Sequence, residues 1–238
     1  KVQQIVTQEV EKVKDLKVGN GAAVVADSKN GQILAMVGSK DYFAQDYDGQ
    51  VNVTLSLRQP GSALKPFTYV TAFKAGYTPA YVLMDVPTEF PGGEGQPMYK
   101  PVNYDGKYRG PQQIRFALGN SINIPAVKML ALVGVKNMLR TAYDAGLTTL
   151  APTDENLSRF GLSVTLGGGE VRLLELTNAF GTLADGGVYH EIVPILKVED
   201  RIGKVLEEYK EKPGREVLGR DVTFLISHIL SDNNARSA

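Results

Sequence analysis

Apolar residues near the amino terminus follow two different periods. They first recur at helical spacing with charged residues between them, which predicts an amphipathic helix over residues 1–17. Two short apolar runs, 22–26 and 33–37, then flank Asn30-Gly31, a dipeptide typical of a tight β-hairpin. Because both runs are almost continuously apolar, we expect both faces of this hairpin to be covered.

The rest of the chain is mainly helical in pattern. Periodicity and Gly or Pro breakers predict helices at 62–75, 112–118, 125–133, 136–145, 170–185 and 221–230. A second hairpin is predicted within 193–209. Residues 86–111 are rich in Pro and Gly, so we expect a structureless connection that serves as a functional loop or lid. This order predicts an α+β fold with a helical lobe inserted after an antiparallel sheet begins.

Composition excludes several kinds of chemistry. The chain contains no Cys, which excludes disulfides, thiolate zinc sites and a Cys nucleophile. Its two His, His190 and His228, are far apart in sequence, so neither a His metal site nor a Ser-His-Asp triad is expected. The formal net charge is +0, so we expect no nucleic-acid partner. No apolar run reaches the length of a membrane span and no signal peptide opens the chain, so we expect these residues to be soluble.

Ser62 and Lys65 form a Ser-x-x-Lys pair at the start of the predicted helix 62–75. Positions i and i+3 share a helix face, so the amine can reach the hydroxyl. A Lys can act as the base that activates a Ser where burial or a neighbouring cation lowers its pKa. The backbone N–H of Ser62 can also stabilise an oxyanion. On spacing alone, however, a helix-capping Ser and a solvated Lys are the commoner explanation.

A Ser-x-Asn element would add further polar groups to such a site. Three occur, at 28–30, 121–123 and 231–233. The first lies in the hairpin turn, and the third lies where the last predicted helix ends, a place where Ser, Asp and Asn are ordinary. The second lies in a break between two predicted helices, from which a loop can aim side chains at a nucleophile. We therefore select Ser121 and Asn123.

The segment 58–67, Arg-Gln-Pro-Gly-Ser-Ala-Leu-Lys-Pro-Phe, closely resembles the active-site segment of class A (bifunctional) penicillin-binding proteins. Further segments resemble the same family in the same order, namely 22–42, 101–106, 121–127 and 166–171. The resemblance covers essentially the whole chain. It is much more specific than either short motif.

The resemblance implies the α+β fold of penicillin-binding proteins and serine β-lactamases. It also implies a D-Ala-D-Ala transpeptidase that cross-links peptidoglycan on the extracytoplasmic face of the bacterial membrane. Ser62 would attack the stem-peptide carbonyl with Lys65 as base, Ser121 would relay a proton to the leaving amine, and Asn123 would hold Lys65 and the donor amide. The implied partners are peptidoglycan stem peptides and β-lactam antibiotics, with no cofactor and no metal.

The chain departs from the family pattern in one respect. No Lys is followed by Thr-Gly or Ser-Gly, although the family carries such an element on a sheet-edge strand after a segment like 231–236. We therefore expect residues 1–238 to be a transpeptidase domain that lacks its C-terminal strands and is weak or inactive alone. The resemblance also implies a membrane-anchored parent protein with a glycosyltransferase domain, both outside this chain.

Two alternative functions stay open. A serine β-lactamase or β-lactam sensor shares the first two motifs, and Glu170, which follows three Gly at a predicted helix start, would then be compared with a deacylating Glu. A structural role beside the helix N-terminus explains Glu170 more simply. A non-catalytic domain that keeps the fold for protein contacts or peptidoglycan binding is the second alternative. His228 is expected at the core edge or in solvent, not as a ligand.

Overall fold

The computed structural model describes residues 1–45, 47–92 and 97–236. Positions 46, 93–96 and 237–238 lie outside the described residues, and with them part of the predicted connection 86–111 and the chain end at Ala238. The helices are α1 (Val2–Lys12), α2 (Lys65–Lys74), α3 (Ile114–Gly119), α4 (Asn123–Val133), α5 (Val135–Asp144), α6 (Asp154–Arg159), α7 (Leu173–Ala184) and α8 (Arg220–Ser231). The strands are β1 (Ala23–Ala26), β2 (Ile33–Val37), β3 (Leu57–Arg58), β4 (Val82–Asp85), β5 (Gly110–Gln113), β6 (Val171–Arg172), β7 (Val188–Tyr189), β8 (Lys197–Glu199), β9 (Val205–Glu208) and β10 (Arg215–Glu216).

The chain divides into two compact units. One comprises Lys1–Arg58 and Arg172–Val217, and the other comprises Gln59–Val171 and Leu218–Ala238. The second unit holds α2 to α6 and α8, and its longer segment separates the two parts of the first unit in sequence. The predicted α+β fold with an inserted helical lobe is therefore confirmed.

The first unit is built on the predicted hairpin of β1 and β2. The strands pair antiparallel, with Ala23 opposite Val37, and Gly31 takes the positive φ of 75° that the turn requires. Helix α1 contacts β2 and helix α7 contacts β1. Leu34 and Val25 nevertheless stay exposed. The expectation that both faces are covered is therefore wrong for the described structure, because these two helices do not cover every apolar side chain of a two-stranded sheet.

The core of the second unit surrounds α2. Residues 65–73 of this helix are all buried, because α3, α4, α5 and α8 pack around it. A helix that is apolar on nearly all sides is stable when other helices enclose it. As a consequence, a polar residue in its first turn is buried as well.

The connection predicted for residues 86–111 is more ordered than expected. Its last residues belong to β5, which pairs antiparallel with β4 and places Asp85 opposite Gly110. Phe90 and Tyr99 form an isolated antiparallel bridge within it. Pairing between segments this far apart leaves no local sequence pattern, so the two strands were missed.

Helix boundaries elsewhere differ from the predictions by a few residues. The helix predicted from Glu170 begins at Leu173, because Val171 and Arg172 form strand β6. The helix predicted at 62–75 starts as a 3₁₀ turn, Gly61–Leu64, before α2 begins. The hairpin predicted within 193–209 is formed by β8 and β9 and is confirmed.

The described residues contain neither a helix that could span a membrane nor a cluster that could hold a metal ion. None of the helices in residues 1–45, 47–92 and 97–236 is both long and apolar enough to cross a bilayer. Within the same ranges, no cluster of three or more His, Asp or Glu side chains is arranged to hold a metal ion.

Candidate active site

Ser62 lies on the 3₁₀ turn Gly61–Leu64 that leads directly into α2. Its side chain is exposed, and its hydroxyl makes no hydrogen bond to any residue that the structure describes. The turn is held from the other side by a close backbone approach, since a Cβ on Gly167 would lie 2.2 Å from the Gly61 nitrogen. The hydroxyl is thus accessible to an incoming molecule, and the turn that carries it packs closely against Gly167.

Lys65 is the first residue of α2 and is only 1% exposed. Its ammonium donates to the Ser121 carbonyl oxygen, to Ser121 Oγ at 3.1 Å and to Asn123 Oδ1 at 2.7 Å. Burial lowers the pKa of Lys65 from 10.5 to about 8, because the charged form loses its hydration. The simple explanation of a solvated Lys is therefore wrong.

Ser121 is placed by the way in which α3 ends. The Ser121 N–H donates to Leu118 O at 3.0 Å and the Ile122 N–H donates to Ala117 O at 2.9 Å. These two bonds define a Schellman motif with Ser121 at the position where Gly is usual. Ser121 has φ 54°, in the left-handed region. This conformation lets both its carbonyl and its hydroxyl accept from Lys65.

Asn123 is the first residue of α4. Its side-chain Nδ2 donates to Val102 O at 2.8 Å, while its Oδ1 accepts from Lys65. The oxygen end of the amide therefore faces the amine. A carbonyl oxygen is the end that an ammonium group requires, so the two contacts fix the amide in one orientation.

The structure brings Lys65, Ser121 and Asn123 together and places Ser62 one helical turn before Lys65. The four residues predicted from the motifs thus lie in one unit. Ser62 is on the 3₁₀ turn before α2, Lys65 begins α2, Ser121 follows α3 and Asn123 begins α4. Among the described residues, Lys65 has no carboxylate within ion-pair distance. Its acceptors are two neutral carbonyl oxygens and a hydroxyl.

The other two Ser-x-Asn elements form contacts that stabilise the local structure around them. In the first, the Asn30 side chain accepts from the Gln32 N–H within the hairpin turn. In the third, Ser231 Oγ donates to His228 O, and Asp232 is ion-paired with Arg115. None of these groups contacts Lys65.

The structure contradicts the position expected for Glu170 and agrees with the one expected for His228. Glu170 is not at a helix start, since β6 follows it, and its carboxylate is ion-paired with Arg159 instead. His228 is exposed on α8.

Sequence reasoning assigned no role to Asp85, Asn103 or Gly167, although the structure places all three in support of the site. Asn103 accepts from the backbone N–H groups of Asn123 and Ile124. Both Asn103 and Gly167 fall inside segments that resemble the family, which was the available signal. No sequence signal pointed to Asp85, because its role depends on the pairing of β4 with β5, which the sequence does not reveal.

Comparison with known proteins identifies the family of this chain. The family model described as "Penicillin binding protein transpeptidase domain" matches residues 21–236. Penicillin-binding protein 1A of Rickettsia bellii is 35% identical over 187 residues, which are 79% of this chain and 22% of that protein. Penicillin-binding protein 2D of Bacillus subtilis is 32% identical over 230 residues, which are 96% of this chain and 31% of that protein.

A solved structure gives the same result for the fold. The crystal structure of penicillin-binding protein 1A from Haemophilus influenzae matches with a TM-score of 0.78 and 27% sequence identity, covering 91% of this chain and 35% of that one. This chain thus spans about a third or less of the length of these relatives.

The fold is that of the penicillin-binding proteins. Within that class, the chain belongs to the penicillin-binding protein transpeptidase family, as its resemblance to the class A members predicted.

Proposed function

We propose that this chain is a D-Ala-D-Ala transpeptidase domain that cross-links peptidoglycan through an acyl-serine intermediate. Ser62 is the nucleophile, Lys65 the base of acylation, Ser121 the proton relay, and Asn123 the residue that holds Lys65 and the donor amide. The observation that carries the proposal is the buried, carboxylate-free Lys65 with its three acceptors.

The lowered pKa makes Lys65 suitable as a base near neutral pH. With a pKa of about 8, about one amine in ten is neutral at pH 7, against about one in three thousand for an ordinary Lys. A general base is most effective when its pKa lies near the working pH. Burial of α2 therefore supplies the lowered pKa of Lys65, which the Ser-x-x-Lys spacing alone does not provide.

The acceptors of Lys65 also suit its neutral form. A neutral amine has two N–H groups and one lone pair, and two of the acceptors here, Ser121 O and Asn123 Oδ1, can only accept. Those two take the N–H groups, so the lone pair is left for a donor hydroxyl. Ser121 Oγ can both donate and accept, which is the property that a relay needs.

The reaction then balances as follows. The Ser62 oxygen forms a bond to the carbonyl carbon of the penultimate D-Ala while its proton moves to Lys65. The C–N bond breaks, and the leaving D-Ala amine takes a proton through Ser121. An amine of a neighbouring stem peptide later attacks the acyl-serine and releases Ser62. A β-lactam acylates Ser62 by the same first step, except that its leaving nitrogen stays attached.

The wider setting is part of the proposal. The relatives named penicillin-binding protein 1A and 2D support peptidoglycan stem peptides and β-lactams as partners. The resemblance of the sequence to class A penicillin-binding proteins implies a membrane-anchored parent protein with a glycosyltransferase domain, acting on the extracytoplasmic face of the membrane, and we include this in the proposal. Residues 1–238 would then form a transpeptidase domain completed by a Lys-Thr/Ser-Gly strand outside them.

Intact mass spectrometry after incubation with benzylpenicillin tests the proposal. The protein is compared with S62A, both as the 238-residue chain and as a version extended by its natural downstream residues. We expect a mass gain of one penicillin that is absent from S62A. Labelling of the extended version alone supports both the mechanism and the need for the further strand. No adduct on either version overturns the mechanism.

A further inference from the structure

A second polar group, outside the predicted motifs, fixes the start of α4. Asn103 is buried, and its side chain uses all of its hydrogen-bonding capacity. Its Oδ1 accepts from the Asn123 N–H at 3.0 Å and from the Ile124 N–H at 3.3 Å. Its Nδ2 donates to Asp85 Oδ1 at 2.8 Å and to Lys107 O at 2.7 Å.

These contacts replace a missing helix cap. The first N–H groups of a helix lack partners within the helix, and a polar side chain at the N-cap usually accepts from them. The N-cap of α4 is Ile122, which makes no side-chain cap. Asn103 supplies the acceptor from a distant part of the chain. The cap therefore also ties the backbone of Asn123 to the 102–103 segment.

The 102–103 segment holds Asn123 at two points. The backbone N–H of Asn123 is bound by the Asn103 side chain, and its side-chain Nδ2 is bound by the Val102 carbonyl. Together the two contacts leave Asn123 Oδ1 facing Lys65 Nζ, 2.7 Å away. A shift of Asn103 must therefore move an acceptor of Lys65.

Asp85 fixes the orientation of Asn103 in turn. Its carboxylate is 0% exposed, with Oδ1 accepting from Asn103 and Oδ2 accepting from the Arg109 N–H at 2.9 Å. An acceptor-only carboxylate forces the Nδ2 end of Asn103 towards itself, which turns Oδ1 towards α4. The cations that face Asp85 are Arg109, whose Nη1 lies 3.9 Å away, and Lys128, which donates to the neighbouring Met84 carbonyl.

We propose that Asp85 and Asn103 are positioning residues for Lys65, acting through the backbone and the amide of Asn123. The proposal rests on the function proposed above for Lys65. According to this proposal, the position of the Lys65 amine depends on a series of contacts that runs from the buried carboxylate of Asp85 on β4, through Asn103, to the first turn of α4. Displacements of this kind, remote from the reacting atoms, lower rates by about tenfold to a hundredfold.

The test compares N103A with N123A, the double variant N103A/N123A, and N156A as a matched control. Asn156 is a half-buried Asn whose Nδ2, like that of Asn103, donates two hydrogen bonds, here to Thr149 O and Ala151 O. Two quantities are measured: the pH dependence of penicillin acylation of Ser62, and the pKa of Lys65 from an NMR titration with ¹³C-labelled lysine, assigned with K65R.

The expected direction of the Lys65 pKa shift follows from the displacement of Asn123 Oδ1, one of the acceptors of the ammonium. An ammonium that loses a hydrogen bond is less stable, so N103A lowers the Lys65 pKa by about one unit, in the same direction as N123A. The rising limb of the acylation profile moves to lower pH, and its plateau falls about tenfold. The double variant shows little further change beyond N123A, because both act on one contact. N156A loses thermal stability without moving either quantity.

Several results would overturn the proposal: a Lys65 pKa in N103A that stays at the wild-type value or rises, or an effect that adds fully to that of N123A. If N103A does not fold, N103D keeps the helix acceptor but opposes a carboxylate to Asp85. Its acylation rate is expected to recover in N103D/D85N, where residue 85 donates, and absence of recovery counts against the proposal. Should the wild-type protein form no adduct even in the version extended by its natural downstream residues, the transpeptidase mechanism fails, whereas the lysine titration still decides the positioning role.

Discussion

Ser121 offers a direct test of how the site is held, because its backbone and its side chain can be perturbed separately. S121G and S121A both remove the hydroxyl that accepts from Lys65. They differ only in the Cβ atom, at a position where φ is 54°. Any difference in stability between the two variants therefore reports the backbone preferences of Gly and Ala at this position and not the lost hydrogen bond.

The size of the difference follows from two opposing terms. An L-residue in the left-handed region costs about 1–2 kcal/mol relative to its ordinary conformation, a cost that Gly does not bear. Gly in turn loses about 0.4–1 kcal/mol more through its freer unfolded chain. The net result is that S121G is more stable than S121A by about 1 kcal/mol. For a domain of this size, that corresponds to a melting temperature about 2–4 °C higher.

Thermal unfolding monitored by circular dichroism measures the difference. Ser158 provides the control, because it lies within α6, where the backbone is right-handed. There S158A is expected to melt above S158G, since Gly destabilises a helix by about 1 kcal/mol relative to Ala. The sign thus reverses between the two sites. Equal melting temperatures for S121A and S121G, or a more stable S121A, would refute the assignment of Ser121 to a Schellman position.

Three further substitutions have expected outcomes. The pKa of Lys65 falls from 10.5 to about 8 on folding, so the unfolded chain binds more protons than the folded protein between pH 8 and pH 10.5. The free energy of unfolding should therefore rise by roughly 3 kcal/mol as the pH increases through this range. Urea titrations at several pH values should show this rise in the wild-type protein and not in K65M. A Cβ on Gly119 would lie 2.3 Å from the Ala235 carbonyl oxygen, so G119A should cost about 1–3 kcal/mol by urea unfolding, whereas G161A, with open space around it, should cost little; equal effects would contradict this steric account. Since Glu170 is bound in an ion pair, E170Q should leave the lifetime of a penicillin adduct unchanged, and a lengthened lifetime would instead favour the β-lactamase alternative.

Local sequence patterns predicted the elements that local interactions determine. The hairpin at Asn30-Gly31 and the last helix follow from turn chemistry and periodicity, and both were found close to the expected positions. Strands β4 and β5 were missed, because β5 contains Pro111 and pairs with a segment far away in sequence. The helix expected from Glu170 started late for a similar reason, since two residues were taken into a short strand.

The candidate site was predicted from motifs, but its energetics were not. Ser62 and Lys65 were selected on spacing, and resemblance to a family raised that pair above a chance match. Nothing local indicated that Lys65 is buried, because its burial comes from four helices packed around α2. Asn103 was equally hidden, since a side chain that caps a distant helix leaves no periodic signal.

The nature of the acceptors around Lys65 explains how a buried lysine can keep the lowered pKa that the proposed base requires. A buried charge is costly unless polar groups replace its hydration. A carboxylate would do so most strongly, but it would also raise the pKa and hold the amine protonated. In the described structure, the replacements are two carbonyl oxygens and a hydroxyl, all from Ser121 and Asn123. Neutral acceptors stabilise the ammonium enough for it to remain buried, yet burial still brings its pKa to about 8. Because all three acceptors belong to residues 121–123, where the connection from α3 enters α4, the proposed base depends on how this segment is held at its two ends, by the Schellman turn at Ser121 and by the cap from Asn103.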